Sequence, residues 1–474
     1  MGALAAAVLV YVGVSAAMRE RAFARLPNPP DLARQPEAIR AHVTAADRAA
    51  RAAGASADTV GALCVVYHAD MFYDQAERCY TVAESLDPSV WRWTYYRALV
   101  NGARGNDAEM ALALRRVTAA APDFSPAWWQ LGEADFKAGR IGRAQDAWQR
   151  AVDLPEPARP LATADPPARI PVAPIAAYAT LGLARLALSE GHADRARDML
   201  ERLTTTAPRF GPGLRLLGSA YAALDLPDDA SRMVRSADRL PAYDPYVDPI
   251  NDLLAEESRN STFLLQQASA ADVSTNGAWR EHLIRRALQV DPGNTDALFE
   301  LAALLRILKR YDEALVLLQQ YNHEVPGDYQ AVADIGRCLS GLQRYGEAEG
   351  VLRRALGGLD DANTRYDLGL ALDRLGKVAE GLAEYRLTLE RNPNHRDALN
   401  NLGVTLARLG KLGDAVGPLE HLVAIEPDNA DAHVNLGGVL VALRRFDEAK
   451  RHFRAALAID PYHARARAGL KQIE

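Results

Sequence analysis

Cysteine is scarce in this sequence, which has only Cys64, Cys79 and Cys338 among its 474 residues. None of them forms a C-x-x-C pair. Three cysteines in this arrangement exclude a disulfide-rich scaffold, a zinc ribbon, a thioredoxin-like motif and c-type haem attachment.

Sequence motifs for phosphate binding and catalysis are also missing. The chain contains no G-x-x-x-x-G-K-[ST], G-x-G-x-x-G, H-E-x-x-H or G-x-S-x-G pattern. Such patterns cradle phosphates, ligate zinc or present a nucleophile. We therefore expect no enzyme activity, no catalytic, cofactor-binding or metal-binding residues, and no small-molecule substrate.

An excess of positive charge is lacking as well. Lys and Arg total 55 against 61 Asp and Glu, for a formal charge of −6. Bulk electrostatic binding to a phosphate backbone needs a basic surface, so we expect no nucleic-acid partner. At 49% hydrophobic and 24% charged residues, the composition is that of a globular chain rather than a disordered one.

The first 18 residues carry no charged side chain. As a helix they would span roughly 27 Å, at the short end for a bilayer core of about 30 Å. We predict a membrane anchor or signal segment at residues 1–18, with a buried N-terminal helix as the alternative. Arg19, Arg21 and Arg25 favour a cytoplasmic bulk, whereas Ser15-Ala16-Ala17 resembles a cleavage site. We thus expect a membrane-associated protein with a single N-terminal anchor, in a bacterial envelope, facing either the periplasm or the cytoplasm.

The rest of the chain repeats with a period of 34 residues, and one unit is a residue shorter. Such a period indicates stacked supersecondary units. The eleven units begin at Ala57, Trp91, Ser125, Ala177, Gly211, Ser261, Thr295, Tyr329, Ala362, Arg396 and Ala430.

Four columns of the repeat predict a helical hairpin. Position 8 is always small, position 20 is Ala in eight of eleven units, position 24 is large and apolar, and position 32 is Pro in eight of eleven. Small residues let two helices approach, and the large residue fills the space to the neighbouring hairpin. Gly at position 15 in five units suits the turn. We expect a first helix to about position 14, a second over positions 15 to 30, and a core built by stacking.

The repeat resembles the tetratricopeptide repeat (TPR). The matching residues of the last two units are Leu402-Gly403, Ala415, Leu419, Pro427, Leu436-Gly437, Ala449, Phe453, Ala456 and Pro461. The resemblance implies an all-α fold, a right-handed α-α superhelix (TPR solenoid) of about eleven helical hairpins. The unit at 261–294 departs most, with Gln267-Ala268 and Arg280 in place of Leu-Gly and Ala, and we expect either that it is distorted or that its first helix is misassigned.

We divide the chain by repeats and insertions. The predicted parts are the anchor at 1–18, a Pro-rich spacer and lead-in helix at 19–56, an N-terminal block of five repeats at 57–244 with a Pro-rich insertion at 159–176, a connecting insertion at 245–260, a C-terminal block of six repeats at 261–463, and a capping helix at 464–474.

Cys64 and Cys79 occupy positions 8 and 23 of one predicted hairpin. Facing helices would bring them close enough for a disulfide. We expect two buried thiols, because free cysteine commonly packs as a small apolar residue, with the disulfide as the alternative.

The resemblance implies that positions 2, 5, 6, 9, 12 and 13 of the first helices line a concave groove that binds a protein or peptide. Asn side chains there would pair with a peptide backbone, and carboxylates would favour basic groups. The groove residues so implied are Arg92, Tyr95, Tyr96, Trp129, Phe136, Lys137, Phe299, Glu300, Asp334, Tyr366, Asp367, Asn401 and Asn435.

These features predict a non-catalytic scaffold, tethered to a membrane, that binds a partner protein or peptide in its groove. Two alternatives remain open. The row of Asn residues resembles the substrate-reading repeats of O-linked glycosyltransferases, so the chain would be a targeting or substrate-recognition subunit for a separate enzyme. The other alternative is an assembly factor for an envelope complex.

Overall fold

The computed structural model describes residues 20–21, 23–52, 56–156, 167, 173–238, 240 and 246–473. These residues form 25 helices of nine residues or more, without a β-strand. The helices are Glu37–Arg51, Ala57–Ala69, Tyr73–Leu86, Trp91–Ala103, Asp107–Ala120, Ser125–Lys137, Ile141–Asp153, Ile175–Ser189, Ala193–Thr206, Gly211–Ala223, Pro227–Ala237, Pro249–Glu257, Ser261–Ser269, Val273–Val290, Thr295–Ile307, Tyr311–Glu324, Tyr329–Gly341, Tyr345–Leu356, Ala362–Arg374, Val378–Arg391, Arg396–Arg408, Leu412–Ile425, Ala430–Ala442, Phe446–Ile459 and Ala464–Ile473.

The all-α prediction is confirmed, and the helices pair into hairpins that stack as a solenoid. In a regular repeat the first helix covers positions 1 to 13 and the second positions 17 to 30, as in Ala430–Ala442 and Phe446–Ile459. The chain divides into two compact units, which we call the N-terminal unit (Met1–Ala297) and the C-terminal unit (Leu298–Glu474).

The turn inside ten of the eleven hairpins depends on one residue with left-handed backbone at position 15. All five Gly residues predicted there have positive φ, for example 74° at Gly410. The next amide closes the turn, because Lys411 N donates to Leu406 O at 3.0 Å, and this bond satisfies a carbonyl at the helix end. Five other units place a side chain at this backbone position, at Met71, Asp225, Lys309, Gln343 and Arg444.

We expect Arg444→Gly to raise the free energy of unfolding by about 1 kcal/mol, since a left-handed conformation costs an L-residue about that much. Its φ is 61° and its side chain is exposed. Arg454→Gly is the matched control, because exposed Arg454 lies inside a helix, where Gly costs up to about 1 kcal/mol. Chemical denaturation should show a higher free energy of unfolding for Arg444→Gly and a lower one for Arg454→Gly. Destabilisation by Arg444→Gly would contradict the turn assignment.

Close packing within a hairpin joins position 8 to position 24. A Cβ atom on Gly403 would lie 2.6 Å from Leu419, and one on Gly132 would lie 2.4 Å from Trp148. These distances are shorter than carbon atoms tolerate. The small column therefore exists because the large side chain of the second helix rests on the backbone of the first.

Gly403→Leu should destabilise the protein by about 1–3 kcal/mol through overpacking. Gly417→Leu in the same repeat is the control, because a Cβ atom on Gly417 meets nothing within 4 Å. Thermal melts would show a lowered midpoint for the first variant alone. Equal melting of the two variants would refute the packing of position 24 on position 8.

The unit at 261–294 has an early turn. Its first helix, Ser261–Ser269, has 9 residues, and its second, Val273–Val290, has 18 with non-helical backbone at Asn276. Asp272 caps the second helix by accepting a hydrogen bond from Thr275 N at 3.0 Å. An Asp cap before the usual turn position explains why this unit departs from the repeat pattern.

The predicted membrane-associated localisation is corrected by the structure. Among the described residues no helix is both long enough and apolar enough to cross a bilayer. The longest, Val273–Val290, contains three Arg and one Glu. The predicted anchor at residues 1–18 lies outside the described residues, as does most of the insertion at 159–176.

The expectation of two thiols at Cys64 and Cys79 is also corrected. The two residues form a disulfide with their Cα atoms 5.2 Å apart. The reason is geometric, since positions 8 and 23 face each other across the close helix contact, and 5.2 Å lies within the range that a disulfide spans. Cys338 is a buried free thiol.

Candidate functional site

An open groove lies in the C-terminal unit along the first helices of the last repeats. Its walls come from the first helices, at positions such as 5, 6, 9, 12 and 13 that the family resemblance implies, and also from the second helices through Leu412, Leu419 and Phe453. Small and apolar side chains dominate, and the polar ones are Asn435, Arg465 and Gln472. These lining residues include Val404, Ala407, Gly438, Val441, Ala442, Ala468, Asn435 and Arg465.

A row of hydrogen-bonded amides borders this groove. Asn401 Nδ2 donates to Tyr366 Oη at 3.1 Å, and Asn435 Nδ2 donates to Asn400 Oδ1 at 2.9 Å. Asn400 Nδ2 in turn donates to Asn401 Oδ1 at 3.2 Å, and Arg465 Nη1 to Asn435 Oδ1 at 3.2 Å. The sequence pattern indicated three of these residues and missed Asn400 and Arg465. Internal bonds orient the row, and a primary amide has capacity for further partners.

The acidic residues predicted for the groove are paired inside the protein. Arg337 Nη1 lies 2.7 Å from Asp334 Oδ1, and its Nε lies 2.5 Å from Asp367 Oδ2. Burial alone would lower the pKa of Arg337, but the two carboxylates outweigh burial and raise it. Asp334 is only 4% exposed. The pair therefore neutralises a buried guanidinium instead of offering free negative charge to a basic partner.

The two aromatic residues predicted for the groove in this unit, Phe299 and Tyr366, are half-buried. The Phe299 ring centroid lies 5.2 Å from that of Tyr321, and the Tyr366 ring lies 4.9 Å from His395. Glu300 is half-buried on the same helix as Phe299.

The N-terminal unit differs because its own chain lies against the first helices of its repeats. We call residues 246–260 the cis segment. Tyr95 Oη donates to Asp248 Oδ2 at 2.6 Å, and Tyr246 Oη donates to the same oxygen at 3.2 Å. Gln130 Nε2 donates to Tyr95 Oη at 2.8 Å and also to Tyr246 Oη. Sequence reasoning missed Gln130, Tyr246 and Asp248.

Rings surround the tyrosine of the cis segment. The Tyr246 ring centroid lies 4.4 Å from Trp129 and 6.1 Å from Tyr178. Burial raises the pKa of Asp248, while hydrogen bonds from Tyr95, Tyr246 and backbone amides oppose that shift. Its other oxygen caps the helix Pro249–Glu257 by accepting from Ile250 N at 2.9 Å.

Most of the predicted N-terminal groove residues are consequently not open to solvent. Tyr95 is 0% and Tyr96 5% exposed, and Tyr96 stacks on Tyr80 with ring centroids 5.6 Å apart. Phe136 is half-buried against Trp148, 5.4 Å away. Trp129 is half-buried against the cis segment, and the two exposed members of the set are Arg92 and Lys137.

A histidine fastens the end of the cis segment to the start of the unit. His42 Nδ1 lies 3.1 Å from Asp70 Oδ2, and its Nε2 lies 2.9 Å from Glu257 Oε1. Ser258 Oγ donates to Ala69 O at 2.8 Å beside this pair. Burial alone would lower the pKa of His42, but the hydrogen bonds and charges of both carboxylates raise it to about 9.

Stability of the N-terminal unit should therefore fall as pH rises from about 6.5 to about 9. The folded state binds the His42 proton more tightly than the unfolded state, so its contribution is complete below pH 6.5 and lost above pH 9. His42→Gln should flatten this slope in urea denaturation, and His192→Gln, at an exposed site, should not. An unchanged slope in His42→Gln would refute the role of the pair.

Within the described ranges no three His, Cys, Asp or Glu side chains are arranged to hold a metal ion. One histidine pair places the Nδ1 atoms of His433 and His452 3.0 Å apart. Two nitrogens fall short of the four ligands of a structural zinc site.

Family models described as tetratricopeptide repeat match the sequence at residues 283–316, 305–372, 366–424 and 406–473. These matches include every residue of the C-terminal groove. No curated protein matches the sequence.

Solved structures with a similar repeat architecture have little sequence identity to this chain. YrrB, described as a TPR protein with an unusual peptide-binding site, is 23% identical over 40% of this chain and 97% of its own, with a TM-score of 0.34. PilW, a type IV pilus biogenesis factor, is 22% identical over 44% and 98%, with a TM-score of 0.41. Yeast Tom70 is 13% identical over 88% and 94%, with a TM-score of 0.36. At these TM-scores the similarities carry no argument about function.

Proposed function

We propose that this chain, which matches models of the tetratricopeptide repeat over residues 283–473, is a protein-interaction scaffold whose C-terminal unit binds a partner segment in its groove. The observation that carries the proposal is the open groove with an apolar lining and an amide border. A scaffold of this kind acts by shape and hydrogen bonding, without a chemical step.

The lining of the groove supports an extended peptide as the partner. Ala407, Gly438 and Ala442 are small, so a backbone can approach them closely. Val404 is 41% exposed and offers apolar surface to a side chain of the partner. Asn401 and Asn435 stand at the border with amide groups that match the donors and acceptors of a peptide backbone.

Charge contributes little to this recognition. Asp334 and Asp367 are paired with Arg337, and Arg465 lies 2.6 Å from Asp431. Steering by long-range electrostatics requires charge of one sign along a groove. We therefore propose a partner segment of small apolar and polar residues rather than a strongly basic one.

The same groove also suits a substrate-recognition subunit for a separate enzyme. The feature that favours this second candidate is the continuous row Asn401, Asn400 and Asn435. In that case the bound segment would belong to the substrate of the enzyme, and the groove would still contain no reacting group.

Filling the groove should abolish partner binding without unfolding the protein. A Cβ atom on exposed Gly438 meets nothing within 4 Å, so Gly438→Trp places an indole in the groove. We expect peptides selected on the full chain from a displayed random library to lose at least tenfold in affinity for this variant, measured by fluorescence anisotropy.

Gly417→Trp is the matched control, because Gly417 is equally unobstructed and lies on the second helix of a repeat. It should bind the selected peptides as the unmodified protein does. Selected peptides that bind Gly438→Trp with undiminished affinity, or a library that yields no binder, would contradict the proposal.

A further inference from the structure

The N-terminal unit contains a second recognition surface that the scaffold proposal leaves unused. Its first helices present aromatic and amide side chains toward one face, and Tyr95, Gln130 and Trp129 all contact the cis segment. Tyr95 and Asp248 are separated by 153 residues along the chain. The cis segment is therefore bound by the repeats in the manner of a ligand, although it belongs to the same chain.

We propose that this face is a recognition site for a segment carrying tyrosine two residues before aspartate, followed by a short amphipathic helix, and that residues 246–260 occupy it in cis. A partner protein with the same Tyr-x-Asp chemistry would bind there by displacing the cis segment. The site is distinct from the C-terminal groove in both its residues and its chemistry.

Asp248 accepts hydrogen bonds from four donors, an environment that suits a carboxylate. Oδ2 of Asp248 accepts hydrogen bonds from Tyr95 and Tyr246, and Oδ1 accepts from Ile250 N and Asn251 N. The residue is 4% exposed. A buried carboxylate is costly without such partners. An asparagine would place its NH2 group against the Tyr95 and Tyr246 hydroxyls, which already accept from Gln130, so the site favours Asp over Asn.

Tyr246 is recognised through both its ring and its hydroxyl. Trp129 and Tyr178 pack edge-on against the Tyr246 ring, an arrangement that favours an aromatic side chain. Gln130 donates to its hydroxyl, so phenylalanine would remove one of the two hydrogen bonds that this buried amide donates.

The helix that follows supplies the apolar part of the contact. Ile250, Leu254 and Ala255 are 7%, 0% and 0% exposed, whereas Leu253 is 47% exposed. Burial on one face only is the pattern of an amphipathic helix seated on a surface. Beyond it, Ser258 and Arg259 bond to Ala69 and Asp70 and hold the far end.

Occupation in cis lowers the apparent affinity for any partner. A tethered segment competes at an effective concentration in the millimolar range, so a free peptide of equal intrinsic affinity binds poorly to the intact chain. Weakening the cis segment while leaving the repeats unchanged should remove this competition.

The test uses a fluorescein-labelled peptide with the sequence of residues 245–257, PYVDPINDLLAEE. The proteins are the full chain and its Tyr246→Ala/Asp248→Ala variant, which loses the two recognised side chains of the cis segment. We expect the variant to bind the peptide at least tenfold more tightly than the unmodified chain does. A peptide with asparagine in place of its first aspartate, at the position of Asp248, should bind more weakly by at least tenfold.

Tyr95→Phe added to the double variant should reduce peptide binding, because it removes one donor to the carboxylate and little volume. The proposal fails if the double variant keeps the circular dichroism of the unmodified chain yet gains no affinity. It also fails if the aspartate and asparagine peptides bind alike.

If the double variant does not fold, the single variant Tyr95→Phe decides the matter by hydrogen exchange. Loss of the hydrogen bond to Asp248 should raise the amide exchange rates of residues 246–257 at least tenfold. The control is the helix Ile141–Asp153, whose exchange rates should not change because Tyr95 does not link it to the cis segment. Unchanged exchange in 246–257 would overturn the proposal.

Discussion

The close contact between position 8 and position 24 of each hairpin is the constraint from which the rest of this structure follows. Phe453 shows it most clearly, because a Cβ atom on Gly437 would lie 2.8 Å from its ring and one on Gly469 would lie 2.4 Å from it. The ring is thus enclosed by the first helix of its own hairpin and by the capping helix. Trp148 is enclosed in the same way by Gly132 and Gly182. Each large side chain fastens one hairpin to the next, which is how a repeat array accumulates stability.

This packing leaves one face of the first helices without a structural partner, and the two units use that face differently. In the C-terminal unit Gly438 and Val404 border open space. In the N-terminal unit the cis segment covers the face, through Asp248 and a helix whose Leu254 is fully buried. The same face is therefore open in the last repeats of the C-terminal unit and covered by the chain itself in the N-terminal unit.

In each unit one cationic side chain pairs with two carboxylates. Arg337 holds two carboxylates in the C-terminal unit, and His42 holds two in the N-terminal unit. Pairing offsets part of the cost of burying these charges and leaves Asp334 and Asp367 bonded to Arg337. The recognition that we propose therefore rests on shape, amide hydrogen bonds and aromatic packing, which act at short range.

The sequence by itself determined the 34-residue period, the hairpin and the turn at position 15, because each depends on residues less than one repeat apart. Its predicted groove residues Asn401 and Asn435 belong to one hydrogen-bonded row, and their role in binding stays a prediction. The tertiary structure alone decided that Tyr95 meets Asp248, that Arg337 neutralises Asp334, and that Cys64 bonds to Cys79. A periodic sequence pattern indicates which helix face a side chain lies on. It does not indicate a contact with a residue at an irregular or distant position, because such a contact depends on how the chain folds back on itself.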